Sequence, residues 1–259
     1  MQHLNRNGVQ LFFEEAGRGD PPLLLVHGWT CDHTYMAPQF AHFRSTHRVV
    51  AVDLRGHGQS DKPQQDYTMK AFADDLVWLC DQLGVKKPAV IGHSMGGVIA
   101  MELAASFPEV PAAVVTLDSP LVLPQALLDS IAPLQQALWG PQYREAQQQF
   151  VADFLFLPTD DSQRKAQIVA AMSSAPQHVM ASAFENINLH YDTTAAVAQC
   201  QVPLLVLLAA QPLSDIARLR EVNPKAVIGQ TVGAGHFHQL EVPEQVNAMI
   251  ERFLVVSFP

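Results

Sequence analysis

The amino-acid sequence predicts an α/β fold in which helices flank a mostly parallel sheet and one helical segment interrupts the sheet. Over residues 9–117, short apolar runs that suit buried strands alternate with segments of helical periodicity. From residue 121 to residue 199 the helical patterns continue without a strong strand, and strand patterns return after residue 200. Strands that alternate with helices pair in parallel and are covered by helices on both faces.

The predicted elements of the sheet follow from the apolar runs and from the residues that end them. Gly84 follows a helical pattern at residues 69–83, where it can adopt a left-handed cap. Pro108 follows the pattern at residues 95–107 and cannot continue that helix. The predicted strands are residues 9–15 (an edge strand), 23–26, 48–52, 89–91, 113–117, 203–208 and 226–231.

The middle of the chain is predicted to be an insertion into this sheet. We therefore expect residues 1–120 and 201–259 to form the core and residues 121–200 to form a helical lid. The lid would cover the carboxyl ends of the strands, where ligands bind in sheets of this kind. Its predicted helices are residues 123–139, 142–155, 161–172 and 177–189, and a last helix at residues 243–255 begins with a proline and returns to the core.

Composition narrows the classes of partner. The 259 residues are 48% hydrophobic and 16% charged, which is ordinary for a globular protein, and the formal net charge is −9. A negative field repels nucleic acid and anionic membranes, so we expect a small-molecule substrate, no nucleic acid and no membrane partner. The amino terminus lacks the apolar run of a signal peptide, and three cysteines without metal-type spacing indicate reduced thiols; both favour the cytoplasm.

A candidate nucleophile lies in the sequence GHSMG at residues 92–96. This G-x-S-x-G spacing follows the predicted strand at residues 89–91 and opens a predicted helix. A strand-to-helix turn this tight needs small neighbours and projects the hydroxyl of Ser94 above the sheet. The amino terminus of the helix also favours developing negative charge there.

A serine hydroxyl needs a base, and the chain offers a histidine after its last predicted strand. His236 lies in GAGHF at residues 233–237, where the glycines allow the loop to fold the imidazole over the sheet. His238 is the competing candidate two residues later. The position in the loop favours His236.

An acyl-transfer site also needs hydrogen-bond donors for an oxyanion. Gly28 follows the predicted strand at residues 23–26 and allows a turn that directs the backbone N–H of Trp29 toward the site. The N–H of Met95, next to the nucleophile, is the second predicted donor.

Together these features resemble the α/β-hydrolase superfamily, as does DLRGHGQS at residues 53–60, a loop that is mainly structural in that family. The likeness covers the core on both sides of the insertion. The resemblance implies an α/β-hydrolase fold with about eight strands, a Ser-His-Asp triad and no cofactor or metal.

The resemblance leaves two candidates for the triad acid. Family members usually carry an Asp after the strand that follows the lid, but here the expected offset falls near Pro212 and Asp215 comes about three residues late. Some members place the acid before the lid, and Asp118 follows the strand at residues 113–117. Asp118 is favoured, because a buried carboxylate there would meet the imidazolium of His236.

A second, local resemblance is to cofactor-independent dioxygenases of the quinolone-cleaving type, which also place the acid before the lid. In that family a His–Asp pair abstracts a substrate proton, and the anion reacts with oxygen without metal or flavin. One position departs from the pattern of that family, because Met95 stands where a His is expected after the serine. The matching positions are Gly28-Trp29, His93-Ser94, Asp118 and Gln211-Pro212.

The function predicted from the sequence is hydrolysis of an ester, or of a related acyl bond such as a lactone. Ser94 would attack the carbonyl, His236 would accept its proton, and Asp118 would orient His236. The lid and the side chain of Trp29 favour a small, mainly apolar substrate. The alternative is cofactor-independent dioxygenation by the His–Asp pair.

Overall fold

One eight-stranded sheet organises the molecule in the computed structural model, which describes residues 2–258. The strands run in the order β1-β2-β4-β3-β5-β6-β7-β8, and every pair from β4 to β8 is parallel. The predicted fold class is confirmed. The strands are β1 (Gln2–Arg6), β2 (Val9–Ala16), β3 (Leu23–Val26), β4 (Val49–Val52), β5 (Ala89–His93), β6 (Ala113–Leu117), β7 (Leu204–Leu208) and β8 (Val227–Gln230).

The inner strands form because their sequences are apolar on both faces. Every residue of β3, β4, β5, β6 and β7 is buried, as expected for parallel strands covered by helices on both sides. The side chains of these strands divide between two apolar clusters, one on each face of the sheet.

The edge of the sheet differs from the prediction. The run at residues 9–15 was expected at the edge, but it forms β2, and β1 pairs antiparallel with it on the outside. The strand β1 was missed because its sequence, QHLNR, is polar and its side chains are exposed or half-buried. Such a strand lacks the apolar pattern on which strand prediction depends.

Eleven α-helices are present in the described residues. Thr68 caps α2 by accepting a hydrogen bond from the N–H of Ala71, and Gly84 ends α2 in the predicted left-handed conformation, with a φ of 61°. The helices are α1 (Ala37–Phe43), α2 (Met69–Leu83), α3 (Met95–Ser106), α4 (Gln125–Leu138), α5 (Tyr143–Phe154), α6 (Ser162–Met172), α7 (Gln177–Glu185), α8 (Thr193–Gln199), α9 (Ile216–Val222), α10 (His238–Glu241) and α11 (Pro243–Ser257).

The segment between β6 and β7, called the β6–β7 segment below (residues 118–203), contains α4 to α8 and no strand. The predicted helix at residues 177–189 ends at Glu185, and a π-helical turn at Asn186–His190 follows it. The short helices α1, α8, α9 and α10 were not predicted, because helices of four to seven residues show too few turns for a periodic pattern.

Two features of the described residues relate to the membrane partner and the cysteine state considered from composition. In residues 2–258 no helix is both long enough and apolar enough to cross a bilayer. Cys31, Cys80 and Cys200 are free thiols and are all buried. Burial raises the pKa of Cys80 to about 12, so that thiol stays protonated at neutral pH.

A buried carboxylate joins the exposed edge strand to the helical layer. Asp75 of α2 forms ion pairs with Arg6 of β1 and with Arg55, which follows β4. The side chain of Asp75 is only 3% exposed, so the two guanidinium groups replace the water that its charge would otherwise bind.

We expect Asp75→Ala to lower the free energy of unfolding by about 3 kcal/mol, because it leaves two partly buried arginines without their counter-ion. Asp74→Ala is the matched control: Asp74 pairs only with the exposed Lys70 one turn earlier, and its loss should change stability by less than about 1 kcal/mol. Urea unfolding of both variants measures the difference. Equal losses would show that the pairing of Asp75 adds nothing beyond an exposed salt bridge.

Candidate active site

The backbone of Ser94 forms a strained turn between β5 and α3. Its φ is 53° and its ψ is −120°, a conformation that residues with a side chain rarely adopt. Its N–H donates to the carbonyl of Leu117 at the end of β6, at 2.9 Å. The side chain is half-buried at the amino terminus of α3, in the position that the sequence predicts for a nucleophile.

The flanking glycines permit this turn through close backbone contacts. A methyl group on Gly92 would collide with the backbone of Gly96, and one on Gly96 would collide with the carbonyl of Val26 in β3. The first turn of α3 therefore rests directly on the ends of β3 and β5, and larger residues would push the helix away from the sheet.

The structure brings His236 and Asp118 together. His236 Nδ1 lies 2.7 Å from Asp118 Oδ2, and both side chains are buried. A carboxylate only accepts hydrogen bonds, so Nδ1 carries the proton and Nε2 keeps its lone pair. The N–H of His236 donates to the carbonyl of Leu155 in the β6–β7 segment, which fixes the loop.

Asp118 stands directly after β6, and both its backbone and its side chain form hydrogen bonds with the end of the neighbouring strand β7. Its N–H donates to the carbonyl of Leu207 in β7, and its Oδ1 accepts from the N–H of Ala209. Asp215 lies elsewhere: it is exposed and caps α9 by accepting from the N–H of Arg218. Of the two predicted acids, the structure places Asp118 beside the histidine.

His238 faces a different environment from His236. Its Nδ1 lies 3.0 Å from the hydroxyl of Thr231, and it is fully buried. Burial lowers the pKa of His238 to about 4, although the nearby charge of Asp118 acts in the opposite direction. His238 does not line the cavity next to Ser94.

A third histidine supports the loop of His236 and was given no role in the sequence analysis. His93 Nε2 lies 3.0 Å from the carbonyl of His236, and the two ring centroids are 4.7 Å apart. Burial lowers the pKa of His93 well below its usual range, and the adjacent His236 lowers it further. His93 is therefore neutral at neutral pH and donates its Nε2 proton to that carbonyl.

The described part of the fold leaves the backbone N–H groups of the two predicted oxyanion donors unused. Within residues 2–258, the backbone N–H groups of Trp29 and Met95 donate to no protein acceptor. Gly28 brings the Trp29 turn close to the serine, since a methyl group there would come within 3.1 Å of Ser94 Cβ. The indole of Trp29 donates to the carbonyl of Met180 in α7 at 2.9 Å, which anchors this turn to the β6–β7 segment.

Ser94 and His236 line one cavity, called the serine cavity below. Its remaining wall is almost entirely apolar, and much of it comes from the β6–β7 segment. Apart from Trp29, sequence reasoning did not find these side chains, although Phe150 and Phe154 stand four residues apart on one face of α5. The side chains in this wall include Trp29, Leu127, Ile131, Phe150, Phe154 and Phe184.

A second cavity adjoins the serine cavity at His236 and is called the histidine cavity below. It is lined by Asp118 but not by Ser94, and it shares five wall residues with the serine cavity, namely Leu127, Phe154, Leu155, Leu213 and His236. Its polar wall includes Asp153. The imidazole of His236 therefore borders both spaces.

The loop at residues 53–60 has the structural role expected from the sequence. Asp53 accepts hydrogen bonds from the N–H and Nδ1 of His33 and from the N–H of Gln59. Asp32, His33 and Asp53 are the one group of potential metal ligands found in the described part of the chain, with ligand atoms within 4.8 Å of one another. They lie outside the serine cavity, and the carboxylate of Asp53 is already occupied by these contacts.

The fold and the serine turn define a class of α/β enzymes, and the comparisons with known proteins name it. A family model described as the α/β-hydrolase fold matches residues 21–241. The chain therefore belongs to the α/β-hydrolase-fold family.

Individual relatives extend this similarity over almost the whole chain. A 2-(acetamidomethylene)succinate hydrolase of Mesorhizobium japonicum is 26% identical over 262 residues, or 95% of this chain and 92% of that protein. A thermophilic esterase from Thermogutta terrifontis superposes with a TM-score of 0.86 at 25% identity, covering 100% of both chains.

Est816, described as an N-acyl homoserine lactone degrading enzyme, superposes with a TM-score of 0.84 at 26% identity, covering 97% of this chain and 100% of that one. Other curated relatives are 36–37% identical, but the chain spans only 32–33% of their length.

The buried state of His238 predicts how stability depends on pH. The folded protein keeps this imidazole neutral down to about pH 4, whereas the unfolded chain protonates it near pH 6.5. The contribution of the neutral imidazole to the free energy of unfolding is fully present above about pH 6.5. It is lost as the pH falls toward 4, because the unfolded state then binds the extra proton.

We expect the decrease in unfolding free energy between pH 7 and pH 5 to be about 2 kcal/mol smaller in His238→Gln than in the unaltered protein. His190→Gln is the control, because His190 is exposed and hydrated in both states. Urea unfolding at the two pH values measures the decrease. The explanation fails if His238→Gln and the unaltered protein lose stability equally.

Proposed function

We propose that this protein hydrolyses a carboxylic ester, or a related acyl bond such as a lactone, through Ser94, His236 and Asp118. The observation that carries the proposal is the hydrogen bond from His236 to Asp118, because His236 lines the serine cavity together with Ser94. A nucleophile, a base and an oriented acid on different strand ends are the parts that acyl transfer requires.

In the first step the lone pair of His236 Nε2 accepts the proton of the Ser94 hydroxyl as Ser94 Oγ attacks the carbonyl carbon. The carbonyl oxygen becomes an oxyanion, which accepts hydrogen bonds from the free N–H groups of Trp29 and Met95. Asp118 stabilises the imidazolium that forms. His236 then gives its proton to the leaving alcohol, and the acyl group stays on Ser94.

In the second step His236 takes a proton from a water molecule that attacks the acyl-enzyme. The tetrahedral intermediate collapses, the acid leaves, and Ser94 regains its proton from His236. The chain supplies every group that these proton transfers need, so the proposal includes no cofactor and no metal.

The β6–β7 segment would act as a lid in this reaction. It provides most of the apolar wall of the serine cavity and binds both the Trp29 indole and the backbone of His236. Apolar walls exclude water and strengthen the interactions of the oxyanion. The segment corresponds to the lid predicted for residues 121–200.

The relatives support this class of reaction. One is named an esterase, another a lactone-degrading enzyme and a third a hydrolase, each matching nearly its whole length. The proposal for this chain takes from them the cleavage of an acyl bond by water.

Ser94→Ala is expected to lower kcat on a chromogenic short-chain ester by at least about a thousandfold, since the acyl-enzyme can no longer form. Steady-state kinetics measure the loss, and a burst of chromophore in the unaltered protein would report the acyl-enzyme directly. Near-normal ester turnover by the variant would contradict the nucleophilic role of Ser94.

Asp118→Asn is expected to lower kcat by about a thousandfold or more, because an amide does not stabilise the imidazolium or hold the required tautomer of His236. Asp215→Asn is the matched control: it removes the same charge from an exposed helix cap and should leave kcat unchanged. A larger effect of Asp215→Asn than of Asp118→Asn would return the assignment to the later acid.

The same variants separate hydrolysis from cofactor-independent dioxygenation. The His236–Asp118 pair would also serve as the base for proton abstraction from a substrate, and in that reaction Ser94 would only donate a hydrogen bond. Oxygen consumption with a hydroxyquinolone that persists in Ser94→Ala, together with no turnover of any ester, would replace the proposed hydrolase by the dioxygenase.

A further inference from the structure

The two cavities beside His236 divide the space around the reacting carbonyl, given the proposed hydrolysis. The carbonyl carbon must reach Ser94 and its oxygen must reach the N–H of Trp29, and both residues line the serine cavity. The leaving oxygen must receive its proton from His236, which alone among these three residues also lines the histidine cavity. This arrangement favours an acyl group in the serine cavity and an alcohol in the histidine cavity, since His236 borders both.

The serine cavity is suited to an apolar acyl group, because aromatic side chains pack together in its wall. The ring centroids of Trp29 and Phe184 are 5.0 Å apart, and Phe150 meets Phe184 at 5.8 Å in an edge-on arrangement. Among the described residues, no Asp, Glu, Lys or Arg lines this cavity. A carboxylate on the acyl group would lose its water there without gaining a counter-ion.

The histidine cavity carries negative charge without a cation. Its acids are Asp118, which is bound to His236, and Asp153, which makes no hydrogen bond or ion pair within residues 2–258. No Lys or Arg from the described part of the chain lines it. Lys165 lies over the ring of Phe156, 5.6 Å from its centroid, but is not part of the cavity wall.

We infer that the substrate joins an apolar acyl group to a neutral or cationic alcohol, that Asp153 attracts the cation, and that esters bearing a carboxylate are rejected. This rests on the proposed hydrolysis. This preference would separate the chain from its relative named for a succinate, since among the described residues no Lys or Arg lines either cavity to pair with a dicarboxylate.

A matched pair of esters tests the leaving-group part. Phenylacetylcholine and 3,3-dimethylbutyl phenylacetate share the acyl group and differ in the charge of an alcohol of nearly the same shape. We expect the unaltered protein to favour the choline ester in kcat/KM and Asp153→Asn to lower the ratio of the two by about threefold, the range for one exposed charge. Asp153→Lys should favour the neutral ester, and added salt should weaken the preference.

Glu145→Gln is the control, because Glu145 is an exposed acid on the same helix that lines neither cavity. It changes the net charge equally and should leave the ratio unchanged. A ratio that Asp153→Asn does not alter, or that Glu145→Gln alters as much, overturns the role of Asp153.

A second pair tests the acyl part. We expect 4-nitrophenyl phenylacetate to exceed 4-nitrophenyl hemisuccinate in kcat/KM by at least about a hundredfold, after correction for their spontaneous hydrolysis. Values within a few fold of each other would overturn the exclusion of carboxylates. If either test fails while neutral esters are still hydrolysed in a Ser94-dependent manner, the hydrolase proposal stands. If no ester is hydrolysed in a Ser94-dependent manner, both the hydrolase proposal and the inferred substrate preference are overturned.

Discussion

The strained turn at Ser94 sets the positions of the groups around it. A residue held at a φ of 53° stores roughly 1–3 kcal/mol, so the surrounding structure must hold it in place. The hydrogen bond to Leu117 and the close contacts of Gly92 and Gly96 do this. The helix α3 is buried along nearly its whole length and cannot relax outward. The turn consequently keeps the Ser94 side chain beside the cavity and leaves the Met95 N–H without a partner.

The base His236 is also held in place by surrounding contacts, but these contacts come from distant parts of the chain. Asp118 follows β6 and His236 follows β8, so their hydrogen bond joins residues that are 118 positions apart in the sequence. The His236 loop is also tied to the β6–β7 segment, through the carbonyl of Leu155 and through Asp160, which accepts from the N–H of Gly235. A movement of that segment would displace both the cavity wall and the base, which couples access of a substrate to the geometry of the site.

The sequence predicted most of the fold and the residues that meet at the site, because the inner strands are continuous apolar runs with motifs at their ends. It did not predict β1, whose polar sequence carries no strand pattern, nor the short helices. It favoured Asp118 over Asp215 without deciding between them, because the reach of a loop depends on its path. The structure shows Asp215 capping a short helix that the sequence did not reveal. The helical residues of the cavity walls come mainly from α4, α5 and α7, and the packing of these helices has no local signature in the sequence.

Because the histidines around His236 are neutral, the single carboxylate of Asp118 is sufficient to stabilise a positive charge on His236. His93 and His238 are buried, and burial lowers the pKa of both, so neither carries a charge at neutral pH. A protonated imidazole in either place would repel an imidazolium at His236 and would share the charge of Asp118. Because both stay neutral, the full negative charge of Asp118 is available to the proton that His236 accepts. The burial of His238 thus lowers the stability of the fold at low pH and leaves the charge of Asp118 to His236 at neutral pH.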